Sequence, residues 1–176
     1  MSGLRVMFSV GSDVHQFDRL VQWADRWAKD HPDDEVIVQH GNSAAPNTAE
    51  ATMMFGRDEM LRQLALADVV VLSCGPGAVM DARSVGRRPI VVPRRPDLGE
   101  HVDGHQLVFA RHLHTHDVAV MAEDEAQVVA AVEAARSDPD LMRVDPDATE
   151  PPGIERLGTL IDELVAGRLD RGAATR

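Results

Sequence analysis

Short apolar runs recur along the chain, each closed by glycine or a polar pair, and between them apolar positions repeat at helical spacing. The first run, Arg5-Val6-Met7-Phe8-Ser9-Val10, predicts a strand ending at Gly11-Ser12. Leu20, Trp23, Ala24 and Trp27 then share one face of a helix over 17–30, which His31-Pro32 ends. Residues 35–39 predict a second strand, stopped by Gly41-Asn42-Ser43. The 44–56 segment has no clear period; it reads as a loop with a short strand around Met53-Met54-Phe55. Asp58 predicts the cap of a helix through Leu64, and residues 68–72 a third strand. After the loop Ser73-Cys74-Gly75-Pro76-Gly77, a helix runs over 78–85 with Gly86 as its stop. Residues 89–93 predict a fourth strand, apolar enough to be buried on both faces. A polar loop over 94–104, a helix from near Asp103 to about His112, a strand over 118–120 and a helix over 123–135 complete the pattern.

Alternating strands and helices imply an α/β fold with a doubly wound parallel sheet, occupying residues 1–136. Residues 137–152, rich in proline and aspartate, read as a linker. Ile154, Leu157, Ile161, Leu164 and Val165 then form the stripe of a C-terminal helix within 153–169, and the residues beyond 170 look frayed.

Composition narrows the function classes. Acidic residues number 29 against 18 basic ones, for a net charge of −11. That balance repels a phosphate backbone and an anionic bilayer, so neither nucleic acid nor the membrane itself is an expected partner. No apolar stretch approaches the roughly 20 residues that span a bilayer, and Met1 leads into a strand without a basic leader. A lone cysteine, Cys74, allows no internal disulfide and suits a cytoplasmic setting. Within this acidic chain, Arg83, Arg87, Arg88, Arg94 and Arg95 crowd together, as a solvated basic face or an anion-facing patch.

Ligands of an open parallel sheet bind beyond the carboxyl ends of its strands. Three loops fall at that edge: Gly11-Ser12-Asp13, Gly41-Asn42-Ser43 and Ser73 to Gly77. The glycines of the third let a ligand approach the backbone, and the following helix aims free N–H groups at an anion such as a diphosphate. Asp81, one turn on, is placed to accept from sugar hydroxyls. Taken alone, such a loop also reads as a structural turn. His112, His114 and His116 would share one face of an extended chain and could chelate a metal, but a polar turn is the plainer account, and no metal site is expected. Asp13 and His15, in the first loop, are either solvated or a general base.

Three segments form a composite motif: Gly75-Pro76-Gly77-Ala78-Val79-Met80-Asp81-Ala82; Gly86 with Pro89-Ile90-Val91-Val92-Pro93-Arg94; and Gly99-Glu100-His101-Val102-Asp103-Gly104-His105-Gln106. This pattern resembles the donor half of GT-B glycosyltransferases of family 28, over residues 4–122. It is closest to the single-domain members, such as the soluble catalytic subunit of the dolichol-linked N-acetylglucosaminyltransferase and bacterial exopolysaccharide counterparts. Gly11-Ser12 followed by Phe17-Asp18-Arg19-Leu20 resembles the opening of those short members. The resemblance implies an inverting, UDP-sugar-dependent hexosyltransferase acting on a lipid-linked or polysaccharide acceptor, with the sugar nucleotide as substrate and no cofactor. It implies that Ser73, Gly75, Pro76 and Gly77 face the diphosphate, and that Asp81 stands where a ribose-binding glutamate is usual. Gln106 would hold the donor sugar, Gly41 and Ser43 would flank uracil, Gly11 and Ser12 would line the cleft floor, and Arg94 or Arg95 would aid the leaving UDP. Because a GT-B enzyme needs two Rossmann-like domains, the acceptor half would come from a membrane-anchored partner subunit that recruits this chain to the inner face of the membrane. A second copy of the chain stays open as a further partner. Two other readings stand beside this one: a non-catalytic nucleotide-sugar-binding subunit, and a nucleoside-monophosphate hydrolase of the lysine-decarboxylase-like type. That hydrolase family's loop resembles Pro-Gly-Gly-x-Gly-Thr, which this sequence lacks.

Overall fold

The structure, a computed structural model, describes residues 3–146. Six parallel strands form one sheet in the order β3-β2-β1-β4-β5-β6. They are β1 (Arg5–Ser9), β2 (Glu35–Gln39), β3 (Glu50–Thr52), β4 (Val69–Ser73), β5 (Ile90–Val92) and β6 (Val120–Met121). The helices between them are α1 (Asp18–Asp30), α2 (Arg57–Leu66), α3 (Pro76–Ser84), α4 (His105–Thr115) and α5 (Glu125–Ser137).

The central strands are apolar on both sides because helices cover both. Val6, Phe8, Val71, Ile90 and Val92 pack with Leu20, Trp23, Ala24 and Trp27 of α1 and with Val128 and Val132 of α5. The alternate residues Met7, Val70 and Leu72 meet Leu64 of α2 and Ala82 of α3. Val91 meets Phe109, Ala110 and Leu113 of α4 on that same second face.

The structure moves several expected elements. The short strand expected around Met53-Met54-Phe55 is instead β3, Glu50–Thr52. It is an exposed edge strand set by pairing with β2, so its own residues carry no strand signal. α3 starts two residues early, at Pro76, whose ring presets the first helical turn. Its end follows the sequence: Gly86, at φ +80°, closes a Schellman motif in which Arg87 N–H donates to Ala82 O at 2.9 Å and Gly86 N–H to Arg83 O at 2.9 Å. α4 runs on to Thr115, so His112 and His114 are helical and project from different faces. Only His112 and His116, one turn apart, come together, with ring centroids 4.1 Å apart. The extended triple-histidine face does not form.

The first part of the expected linker is folded. Residues Pro139–Met142 form a 3-10 turn, Met142 is buried, and its carbonyl accepts from Arg88 N–H at 3.0 Å. The expected C-terminal helix at 153–169 lies outside the described residues. Among the described residues, no helix is long and apolar enough to cross a membrane.

Candidate functional site: an uncapped helix start at the sheet's switch point

Strand order reverses between β1 and β4, so the loops after these strands part and open a crevice at the carboxyl edge. A cleft of about 340 Å³ lies there. Gly11 and Ser12 line it from the first loop, Gly77, Ala78 and Asp81 from α3, and Met54, Phe55, Arg57 and Met60 from the approach to α2. Ser9 and Gln39 line it as well, and one chain of bonds ties its walls. Ser9 Oγ accepts from Gly11 N–H at 3.2 Å and from Gln39 Nε2 at 3.1 Å, while Gln39 Oε1 accepts from Phe55 N–H at 2.9 Å. Their signal in the sequence was a polar residue closing each of the first two apolar strands.

The start of α3 is the most informative part of this cleft. Gly75 is the N-cap, no side chain caps the helix, and Pro76 has no N–H. The N–H groups of Gly77 and Ala78 donate to no protein acceptor among the described residues. Gly75 has an ordinary φ of −91°. A Cβ on Gly75 or Gly77 would meet nothing within 4 Å. Neither conformation nor packing therefore asks for glycine here, and alanine would favour the helix by about 1 kcal/mol at Gly77. What the glycines leave is open space beside two free donors at the positive end of a helix. Gly11 is different: at φ +79°, with Ser73 Oγ 2.9 Å from where its Cβ would stand, it is required by the fold. Asp81 is partly exposed, with Oδ1 3.2 Å from Arg57 Nη2.

Other expected site residues fall elsewhere. Gly41 and Ser43 do not line the cleft. Gly41 turns the chain at φ +55°, and the buried Ser43 hydroxyl accepts from Phe17 N–H at 2.7 Å, anchoring the start of α1. Ser73 is buried, its carbonyl accepting from Gly75 N–H at 2.8 Å. Arg94 is fully buried and both terminal nitrogens of its guanidinium donate to backbone carbonyls, so it is not exposed to meet a phosphate. Arg95 is exposed and paired with Asp97. Gln106 is buried, its Oε1 accepting from Arg94 N–H at 3.1 Å, and it is not among the residues lining the cleft. Arg83 donates to Val118 O and Arg87 to Ala65 O, while Arg88 pairs with Asp117, so the arginine-rich segment is largely structural.

Asp13 and His15 form a dyad on the first loop, just after the cleft-lining Gly11 and Ser12. Asp13 Oδ1 accepts from His15 N–H at 2.8 Å and faces His15 Nδ1 at 2.6 Å, and Oδ2 lies 3.3 Å from His101 Nε2. Partial burial opposes ionisation of Asp13, but the His15 N–H and ring, with the charges of Arg94 and His101, outweigh it and hold the carboxyl below its usual range. Cys74 is fully buried, and burial pushes its thiol far up, away from any nucleophilic role. Cys74 is accordingly expected to resist a thiol-exchange reagent in the native protein and to react at once in denaturant. Rapid native labelling would contradict this environment.

The model of the glycosyltransferase family 28 C-terminal domain matches residues 5–150. No curated protein sequence matches the chain. Among solved structures, the chain is similar to the glycotransferase of kitacinnamycin, at 21% identity and TM-score 0.61, over 95% of this chain and 40% of that one. It is similar to CalG4, the calicheamicin glycosyltransferase, at 17% identity and TM-score 0.60, over 95% of this chain and 44% of that one. It is also similar to MurG of Acinetobacter baumannii, at 15% identity and TM-score 0.53, over 92% of this chain and 50% of that one. The chain thus spans half or less of the length of these proteins, and the likeness is one of fold: a Rossmann-like half of a GT-B glycosyltransferase. With the family model covering most of its length, the chain belongs to the glycosyltransferase family 28 C-terminal domain family.

Proposed function

We propose that this chain is the donor-binding half of an inverting glycosyltransferase, which moves a sugar from a UDP-sugar to a hydroxyl of a lipid-linked or polysaccharide acceptor held by a second polypeptide. The observation that carries the reading is the pair Gly75 and Gly77, glycines without a structural reason at an uncapped helix start, where Gly77 and Ala78 line the switch-point cleft. The diphosphate accepts there from the Gly77 and Ala78 N–H groups, and Asp81 accepts from the ribose hydroxyls. In the transfer, the acceptor oxygen attacks the anomeric carbon from the face opposite UDP. The bond to the diphosphate oxygen breaks with its electron pair, and UDP leaves against the helix N-terminus. The acceptor proton passes to His15, which Asp13 orients through Nδ1.

UDP is expected to raise the melting temperature more than ADP or GDP, because a ligand that binds only the native state stabilises it. Asp81→Ala should weaken UDP binding by about 1.5–3 kcal/mol, the range for hydrogen bonds involving a charged group. Calorimetry reads both, and equal shifts for all three nucleotides, or unchanged affinity in Asp81→Ala, would remove the donor assignment. Turnover measured with and without the acceptor-binding partner separates a catalytic from a merely binding subunit.

A further inference from the structure

Against the first loop, the segment between β5 and α4, with the first residue of α4, carries three side chains whose chemistry the donor site does not use. His101, Asp103 and His105 alternate along a short segment, and one ligand atom from each lies within 4.8 Å of the other two. His101 Nδ1 stands 3.6 Å from Asp103 Oδ1, and His105 Nδ1 contacts that same oxygen. Ligand atoms around a tetrahedral zinc ion, at about 2.0–2.2 Å from the metal, lie roughly 3.3 Å apart. Small side-chain rotations therefore bring the three groups into a coordination sphere.

The hydrogen-bond geometry points the same way. Asp103 N–H lies 3.3 Å from His101 Nδ1, so that nitrogen is an acceptor whose lone pair is held only by one long hydrogen bond, which a metal ion would replace. The opposite nitrogen, Nε2, lies 3.3 Å from Asp13 Oδ2. That carboxylate comes from a different loop and stands within reach of a proton on Nε2. A carboxylate behind the far nitrogen of an imidazole is the arrangement that orients metal-ligating histidines and raises their basicity. Two imidazoles and one carboxylate, with an outer carboxylate already in place, form a mixed nitrogen and oxygen donor set.

We infer that His101, Asp103 and His105 form a binding site for a divalent transition metal of the zinc type, with Asp13 as the outer partner of His101. Two nitrogen ligands select zinc, nickel or cobalt over magnesium and calcium, which prefer all-oxygen sites. Three protein ligands leave one tetrahedral position for water or an anionic oxygen. Because His101 is tied to Asp13, the ion would staple the 99–105 loop to the first loop. The site does not depend on the glycosyltransferase reading.

The test is titration of the metal-stripped protein with zinc chloride by calorimetry, and with cobalt chloride by visible absorption. A one-to-one isotherm, a rise in melting temperature reversed by chelator, and the strong visible bands of tetrahedral cobalt are expected. His105→Ala should weaken zinc binding by about 100-fold or abolish it, and Asp13→Asn should weaken it by roughly 10–100-fold while every ligand stays in place. Circular dichroism and melting of each variant without metal show whether it folds, and His105→Gln serves if the alanine variant does not. His112→Ala, which removes the other histidine pair, should leave zinc binding unchanged. No saturable zinc binding, or binding lost in His112→Ala and retained in His105→Ala, would overturn the inference.

Discussion

Arg94→Ala is expected to lower the unfolding free energy by about 3–5 kcal/mol and to loosen the loop after β1, because it leaves several buried carbonyls without donors. Nη2 donates to Val10 O at 2.7 Å. Nη1 donates to His15 O at 2.8 Å and to Glu100 O at 3.0 Å. The guanidinium also sits 4.8 Å from the centre of the Phe17 ring. One planar group thus joins the end of β1, the Asp13–His15 loop and the segment after β5. Arg94→Lys should recover only a small part of the loss, since a point charge with three donors on a flexible stem cannot span these carbonyls. Urea unfolding of the three proteins measures the effect. A loss below about 1 kcal/mol in Arg94→Ala would mean that water readily replaces the guanidinium.

A second clamp sits at the opposite edge of the sheet, where Asp34→Ala is also expected to cost about 3–5 kcal/mol, the usual result of breaking a buried pair. The Asp34 side chain is 1% exposed. Its Oδ1 accepts from Leu4 N–H at 2.8 Å and Arg136 Nη1 at 3.1 Å, and its Oδ2 from Trp27 Nε1 at 3.0 Å and Arg136 Nη2 at 2.7 Å. Burial raises the carboxyl pKa, but the Arg136 hydrogen bonds, those from Leu4 and Trp27, and the Arg136 charge outweigh it and hold the value below the ordinary range. A carboxyl depressed in the folded state contributes stability above its unfolded pKa of about 3.9 and loses it as pH falls through the lower folded value. The clamp is therefore intact at neutral pH, its contribution begins to decline below about pH 4, and it is lost only below the lower folded value. Asp34→Asn should be less stable at pH 7 and lose less on acidification than the parent, as read by melting temperature from pH 7 to pH 3. Parallel acid limbs in the two proteins would assign the loss to other carboxyls.

Asp34 and Arg94 mark where the sequence is hard to read. Asp34 stands in an acidic turn that looks solvated, and its arginine lies 102 positions away, so no local pattern links them. Arg94 belongs to a basic segment whose charge fits an anion patch equally well. The difference between an arginine that meets solvent and one that bridges carbonyls lies in the loops folded over it. Ser43 is a parallel case. It follows a strand at the ligand-binding edge, but its hydroxyl turns inward to the start of α1.

The chain by itself determined the central strands and the helices that cover them. Continuous apolar runs such as Val69 to Leu72 can be satisfied only by burial on both faces, and the intervening stripes supply the covering helices. It also determined the end of α3 at Gly86, because a left-handed C′ position calls for glycine. The Gly75–Gly77 loop with Asp81 was legible because its chemistry lies within one short segment. Tertiary structure alone decided which residues meet that loop. Ser9, Gln39, Phe55 and Arg57 reach the cleft through parallel strand pairing and the packing of α2 on α3, contacts between residues far apart in sequence. It decided the histidines as well. α4 continues past His112, which separates His112 from His114 around the helix, while the 99–105 loop folds back so that His101 meets Asp13 from the first loop. Local spacing records only what one element brings together, and these groups converge because two loops leave the same edge of the sheet.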